Sequence, residues 1–171
     1  MLSSKRAFHR LPAIAVLILA LAGCASLDPA RGISPGMAAA EVMARYGQPV
    51  RVWNDVDGGH TLEYSQQPMG QHCYMVKIGS DERVLSLQDT LQQAGRERIQ
   101  AGLTPEQVSR ILGKERSRMF FRLSGEDVWD WSIPDEPGGK RHRFNVHFKD
   151  GVVLRTSYST IFDDDRMDLF R

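Results

Sequence analysis

Cysteine is nearly absent. Cys24 and Cys73 are the only two in 171 residues, so no disulfide network can staple this fold. The same scarcity excludes zinc sites built on cysteine clusters. Long apolar stretches are missing as well. The longest apolar run, Leu11 to Ala22, has twelve residues and no charge. A helix of that length reaches roughly 18 Å, well short of a ~30 Å hydrocarbon core. Nor is there a surplus of charge of one sign. Lysine and arginine number 22 against 21 aspartate and glutamate, whereas a nucleic-acid binder needs a clear basic excess.

What is present begins at the amino terminus. Lys5, Arg6 and Arg10 precede the short apolar run, which ends in Leu21-Ala22-Gly23-Cys24. A basic start followed by a short apolar segment predicts a signal peptide over residues 1–23. The last four of these residues resemble the lipobox of bacterial lipoproteins. That resemblance implies a diacylglyceryl thioether on Cys24, cleavage before it, and acylation of the new amino terminus by a fatty acid such as palmitate. Residues 24–32 would then be a lipid anchor and a tether reaching no more than roughly 30 Å. Ala25 and Ser26, rather than an aspartate, follow the cysteine. By resemblance to enterobacterial sorting this implies the outer membrane, facing the periplasm. Three of the 22 basic residues and no acidic one lie in residues 1–23, so the remaining 148 carry 19 against 21, a net charge of −2. With Cys24 lipidated, Cys73 is the one thiol left and no intramolecular disulfide can form.

The chain also repeats itself, the mark of an architecture made from copies of one unit. Ile33-Ser34-Pro35-Gly36-Met37 recurs 66 residues later as Ile99-Gln100-Ala101-Gly102-Leu103. At the same offset Glu41-Val42 meets Gln107-Val108, and Gly47 meets Gly113. After a one-residue shift Leu62-Glu63-Tyr64 lies against Trp129-Asp130-Trp131. Further on, Val76-Lys77-Ile78 lies against Val146-His147-Phe148. We expect two copies of one unit, residues 33–90 and 91–160, and a C-terminal tail over 161–171.

Local chemistry predicts the parts of the unit. Thr104-Pro105-Glu106-Gln107 supplies a capping hydroxyl, a proline suited to the first helical position, and a glutamine three residues after the cap. Leu103, Val108, Ile111 and Leu112 follow at helical spacing, and Gly113 offers a left-handed stop. The first copy has Ala38 at the cap position, which predicts a weaker helix start. A further helix is expected over about residues 89–100, and only a short turn around Asp28-Pro29.

Beyond each helix the apolar spacing switches to two. Met119, Phe121 and Leu123 alternate with Arg118, Phe120 and Arg122. Trp129, Trp131 and Ile133 alternate with Val128, Asp130 and Ser132, and Phe144, Val146 and Phe148 with Arg143, Asn145 and His147. The last two strands meet near Lys149-Asp150-Gly151. A two-residue turn there would set Phe148 opposite Val153 and bring Arg155 onto the face of Val146. A three-residue turn sets Phe148 opposite Val152 and Val146 opposite Leu154, keeping that face apolar, and is the expected register. The predicted class is α+β, two tandem units, each a short helical segment followed by a small antiparallel sheet with one face buried.

The pattern I-x-x-G-[ML]-x-x-x-x-V-x-x-x-x-G is carried by Ile33, Gly36, Met37, Val42 and Gly47, and again by Ile99, Gly102, Leu103, Val108 and Gly113. With the later L-x-Y or W-x-W strand and the closing strand pair, it resembles the SmpA/OmlA (BamE-like) family of small outer-membrane lipoproteins. The resemblance covers most of residues 33–159, with two units here where the family has one. It implies a non-catalytic accessory or scaffold in outer-membrane protein assembly or envelope integrity, with envelope proteins such as barrel-assembly subunits as partners. Two tandem units are also similar to secreted β-lactamase inhibitor proteins, which implies as the alternative an inhibitor or ligand-binding module with a concave sheet face.

Chemistry is sparse by comparison. His142 and His147 are an odd number of residues apart, so a strand points them to opposite faces. No histidine pair has metal-ligand spacing. Asp55-Val56-Asp57-Gly58-Gly59 begins like a calcium loop but lacks the glycine and glutamate such a loop needs at its sixth and twelfth positions, His60 and Gln66. A hairpin turn at Asp57-Gly58 is the expectation. Asp163-Asp164-Asp165 reads as a solvated acidic run. No serine stands in a nucleophile elbow, and Cys73 has no base beside it in sequence. No enzyme activity, cofactor, metal, nucleic acid or small-molecule substrate is therefore expected. Tyr64, Trp129 and Trp131 fall on faces assigned to the core. Arg118, Arg122, Arg141, Arg143 and Arg155, with Phe120 and His147, are expected on one outer face, which reads by default as a solvated face and alternatively as a docking surface for an acidic partner, because arginine and aromatic residues concentrate binding energy.

Overall fold

The computed structural model of the protein describes residues 29–134 and 141–161. Cys24, the expected signal peptide and the acidic run Asp163-Asp164-Asp165 lie outside the described residues. In chain order come α1 (Pro29–Gly32), α2 (Ala39–Tyr46), β1 (Arg51–Asn54), β2 (His60–Ser65), β3 (Cys73–Ile78) and β4 (Val84–Asp89). Then follow α3 (Gln93–Arg96), α4 (Pro105–Leu112), β5 (Ser117–Phe121), β6 (Glu126–Ile133), β7 (Arg141–Lys149) and β8 (Val152–Ile161). The strands make two antiparallel meanders, β1-β2-β3-β4 and β5-β6-β7-β8, so the described residues are α+β. No helix among them is long and apolar enough to cross a membrane.

The two halves repeat not only elements but individual bonds. Thr104 closes a full capping box with Gln107 at the start of α4, whereas Ala38 leaves α2 without a side-chain cap. Each helix stops at a glycine with positive φ, Gly47 at 82° and Gly113 at 78°. The carbonyl of each glycine then accepts from an aromatic ring on the second strand of its own half. Tyr64 Oη donates to Gly47 at 3.0 Å, and Trp131 Nε1 donates to Gly113 at 3.2 Å. Ahead of each helix, Gly36 and Met37 exchange backbone bonds with Val84, and Gly102 and Leu103 do the same with Val153.

Apolar burial sets the layers. Ala39 and Val42 of α2 pack with Leu62, Tyr64, Val76 and Ile78 on one face of the first sheet. The opposite face gives Cys73 and Met75 to a second cluster, where they meet Leu112 of α4 together with Trp131, Phe144 and Val146 of the second sheet. Helix α4 therefore lies between the sheets, and the first sheet is covered on both faces rather than on the one expected. Glu63 is fully buried on that shared side. Its carboxylate accepts from Trp53 Nε1 at 3.0 Å and from the backbone N–H of Lys114 at 2.7 Å, satisfying the polar group across the junction. Gln67 does similar work: its amide donates to the carbonyl of Ser132 at 2.8 Å and accepts from the N–H of Ser132 at 3.2 Å.

Three further expectations are corrected. The helix expected over about 89–100 is the four-residue α3, because β4 holds Asp89 opposite Tyr74 and Gly95 is pressed onto the Thr90 carbonyl. Of residues 24–32, expected as anchor and tether, Pro29–Gly32 form α1 instead, with Pro29 buried. The β7–β8 turn has two residues, with Asp150 at φ 52° and Gly151 at φ 82°, and pairs Phe148 with Val153. A bulge next to it, between His147 and Phe148, then shifts the pairing so that Arg155 faces His147 and Thr156 faces Val146. The bulge removes the conflict that had argued against a two-residue turn, because the extra residue returns Arg155 to the outer face.

Candidate functional site

The arginines assigned to one outer face do not share it. Strand β5 sets Arg118 opposite Trp129 and Phe120 opposite Asp127, so both stand on the side of the core ring rather than with Arg143. Arg118 lies with its guanidinium 3.8 Å from the Trp129 ring centroid and its Nε 2.6 Å from Glu115. Arg122 belongs to the turn between β5 and β6 and is exposed. Met119 and Phe121 take the outer-face positions instead, opposite Val128 and Glu126. The alternation along β5 was legible, but its phase was not. An edge strand exposed on both sides has no buried face to anchor it.

The remaining candidates fall at two ends of the outer face. Near the turn linking β7 and β8, Arg155 donates to Glu126 at 2.8 Å, and His147 Nδ1 stands 2.7 Å from the same carboxylate oxygen. His147 Nε2 is 2.9 Å from Ser157 Oγ. The hydrogen bond to His147, and after it the Arg155 charge, hold the Glu126 carboxyl below the ordinary glutamate range. Arg155 is thus occupied within its own sheet.

At the other end Arg141 and Arg143 line a cleft of about 220 Å³ with Arg116, His142, Ser132 and Gln71. Register explains the meeting: Arg143 is paired with both Ser132 and Ser159, and Arg141 with Ile161. Arg116 is held by Asp130, to which its second guanidinium nitrogen donates at 3.0 Å. The Nε of Arg143 is buried and has no hydrogen-bond partner among the described residues. A buried guanidinium N–H lacking an acceptor costs roughly 1–3 kcal/mol, and more because the group is charged, so the cleft favours a ligand that brings an oxygen acceptor.

A second cleft, of about 270 Å³, opens between the first sheet and α4. Trp53 forms part of its wall, with Arg51 and Arg110 stacked at 4.6 and 4.8 Å from the ring centroid. Lys77 and Arg98 stand at the same opening. Lys77 pairs with Asp57 at 2.9 Å and Arg110 with Glu106 at 3.4 Å. Sequence reasoning missed this cleft entirely, because its residues come from both halves and no local pattern reports a contact between them.

The thiol of Cys73 is buried and its pKa pushed up to about 12, first by desolvation and then by the Glu63 charge, which makes it a poor nucleophile. Among the described residues no group of three or more His, Cys, Asp or Glu side chains is placed to hold a metal ion. No family model and no curated protein matches this chain.

Proposed function

We propose that this chain is a non-catalytic outer-membrane lipoprotein, anchored through Cys24, that serves envelope assembly or integrity by capturing an acidic partner protein. The observation that carries the reading is the cleft where Arg141 and Arg143 converge, with the buried Arg143 Nε lacking a hydrogen-bond partner among the described residues. The lipobox-like run and the tandem pattern similar to SmpA/OmlA lipoproteins support it. From Cys24 to the buried Pro29 there are five residue steps. At about 3.4 Å each they reach roughly 17 Å, which keeps the folded body beside the membrane. Partner capture from detergent-solubilised membranes tests the proposal. Reversing Arg141 and Arg143 to glutamate should abolish recovery of the partner while Arg155→Glu leaves it, and wild-type recovery should fall with salt as charges are screened beyond ~10 Å at 0.1 M. Undiminished capture by the folded double mutant would reject the cleft. Absence of lipid on the wild-type amino terminus by mass spectrometry would reject the anchor.

A second reading, an inhibitor or ligand-binding module, draws on the cleft between the first sheet and α4, where Trp53 is pinned by Glu63 and flanked by basic side chains. Recovery of a single soluble enzyme, lost on Trp53→Ala and retained by the Arg141/Arg143 double mutant, would favour it over the first.

A further inference from the structure

The two meanders leave four edge strands, and the chain treats them differently. Gly36 and Met37 bond to the start of β4, and Gly102 and Leu103 to the start of β8. The end of β1 is met by Arg110, which donates to the Asn54 carbonyl at 3.2 Å. The uncovered length of β8 presents mostly hydroxyls, such as Thr156, Ser157 and Ser159. Strand β5 is the exception. Outside its ladder with β6, its backbone makes one hydrogen bond among the described residues, from Gly125 N–H to the Phe121 carbonyl inside the hairpin turn. Met119, Phe120 and Phe121 are 59 %, 63 % and 46 % exposed. An edge with free backbone groups and exposed apolar side chains on both faces is a template for another strand.

We propose that β5 pairs antiparallel with β5 of a second copy of this chain, joining two second sheets into one eight-stranded sheet. This goes beyond the partner capture proposed above and does not depend on it. The register follows from the pleat and the charges. A two-fold axis perpendicular to the sheet keeps every side chain on its own face, so the pairing must centre on a residue opposite itself. Centring on Arg118 sets two guanidiniums side by side, and centring on Phe120 sets Arg118 against Arg122 of the other copy. Like charges placed opposite one another are destabilising. Centring on Met119 avoids both and pairs the whole strand. Met119 meets Met119 of the second copy, Ser117 meets Phe121, and each Arg118 meets Phe120 on the side of Trp129, where a guanidinium already stacks on an aromatic ring. The strand carries no carboxylate, so it offers no ion-pair partner to a basic strand, while its own arginine is matched by its own aromatic.

Cysteine cross-linking of the full chain in its membrane or in detergent tests the register. Directly opposite residues have Cα atoms about 4.5–5.5 Å apart, which suits a disulfide. Cys73 is too buried to contribute. Under mild oxidation Met119→Cys should shift from monomer to dimer mass, and Arg118→Cys should cross-link rapidly to Phe120→Cys but slowly to itself. Leu123→Cys, at a fully exposed position, controls for collision. As an independent readout, the wild type should sediment as a dimer and Met119→Asp as a monomer with an unchanged circular dichroism spectrum. Cross-linking of Leu123→Cys as fast as Met119→Cys, a monomeric wild type, or capture of a different polypeptide by Met119→Cys would each overturn the proposal.

Discussion

At the scale of single residues, the glycines that end α2 and α4 look interchangeable in sequence and are not. Both have positive φ with an extended ψ, −171° at Gly47 and −165° at Gly113, a region that side-chain-bearing residues enter at a cost of roughly 1–3 kcal/mol. A Cβ on Gly47 meets open space, whereas one on Gly113 lands on Cys73 Sγ and crowds Glu63. Gly47→Ala should therefore lose only the backbone term, and Gly113→Ala distinctly more, as read from denaturant midpoints. Equal losses would mean that the junction around Cys73 is looser than its burial indicates. Glu63→Gln tests the same junction. The amide can accept from only one of the two donors, Trp53 and Lys114, and turns its own N–H₂ on the other. A loss of about 1–3 kcal/mol is expected, measured by the same melts.

At the scale of elements, the helix starts differ as their caps do. Thr104→Ala removes the acceptor for Gln107 N–H and should cost about 1 kcal/mol. Ala38 already has cap geometry, φ −71° and ψ 141°, and is exposed. Ala38→Ser should thus raise stability by about 0.5–1 kcal/mol. Thermal melts of the two variants against wild type check the opposite signs. These features were legible because a cap is a contact among four neighbouring residues. The phase of β5 and the bulge in β8 were not. Both depend on which neighbour strand the residues meet, and the phase of Met119-Phe120-Phe121 is set by a four-residue turn, not by burial.

At the scale of the whole molecule, α4 belongs to both sheets, so the halves should not unfold separately. Fluorescence of the tryptophans and far-UV circular dichroism should report one coincident transition, and a fragment of residues 33–90 should fail to fold because the Glu63, Cys73 and Met75 face would meet water. Two resolved transitions would show that the shared core contributes little. By itself, the sequence determined the repeat, the helix caps, the glycine stops, the alternation along each strand and the α+β class. Each is decided by residues within one turn or one strand of each other, where propensity and period act directly. Only the tertiary structure decided that the first sheet is covered twice, that Arg141 and Arg143 share a cleft while Arg118 and Phe120 turn away, and that β5 keeps a bare outer edge among the described residues with exposed apolar side chains on both faces. Those outcomes depend on which face meets which across tens of residues, and a local pattern that repeats in both halves cannot say which copy of a surface will be covered by the other.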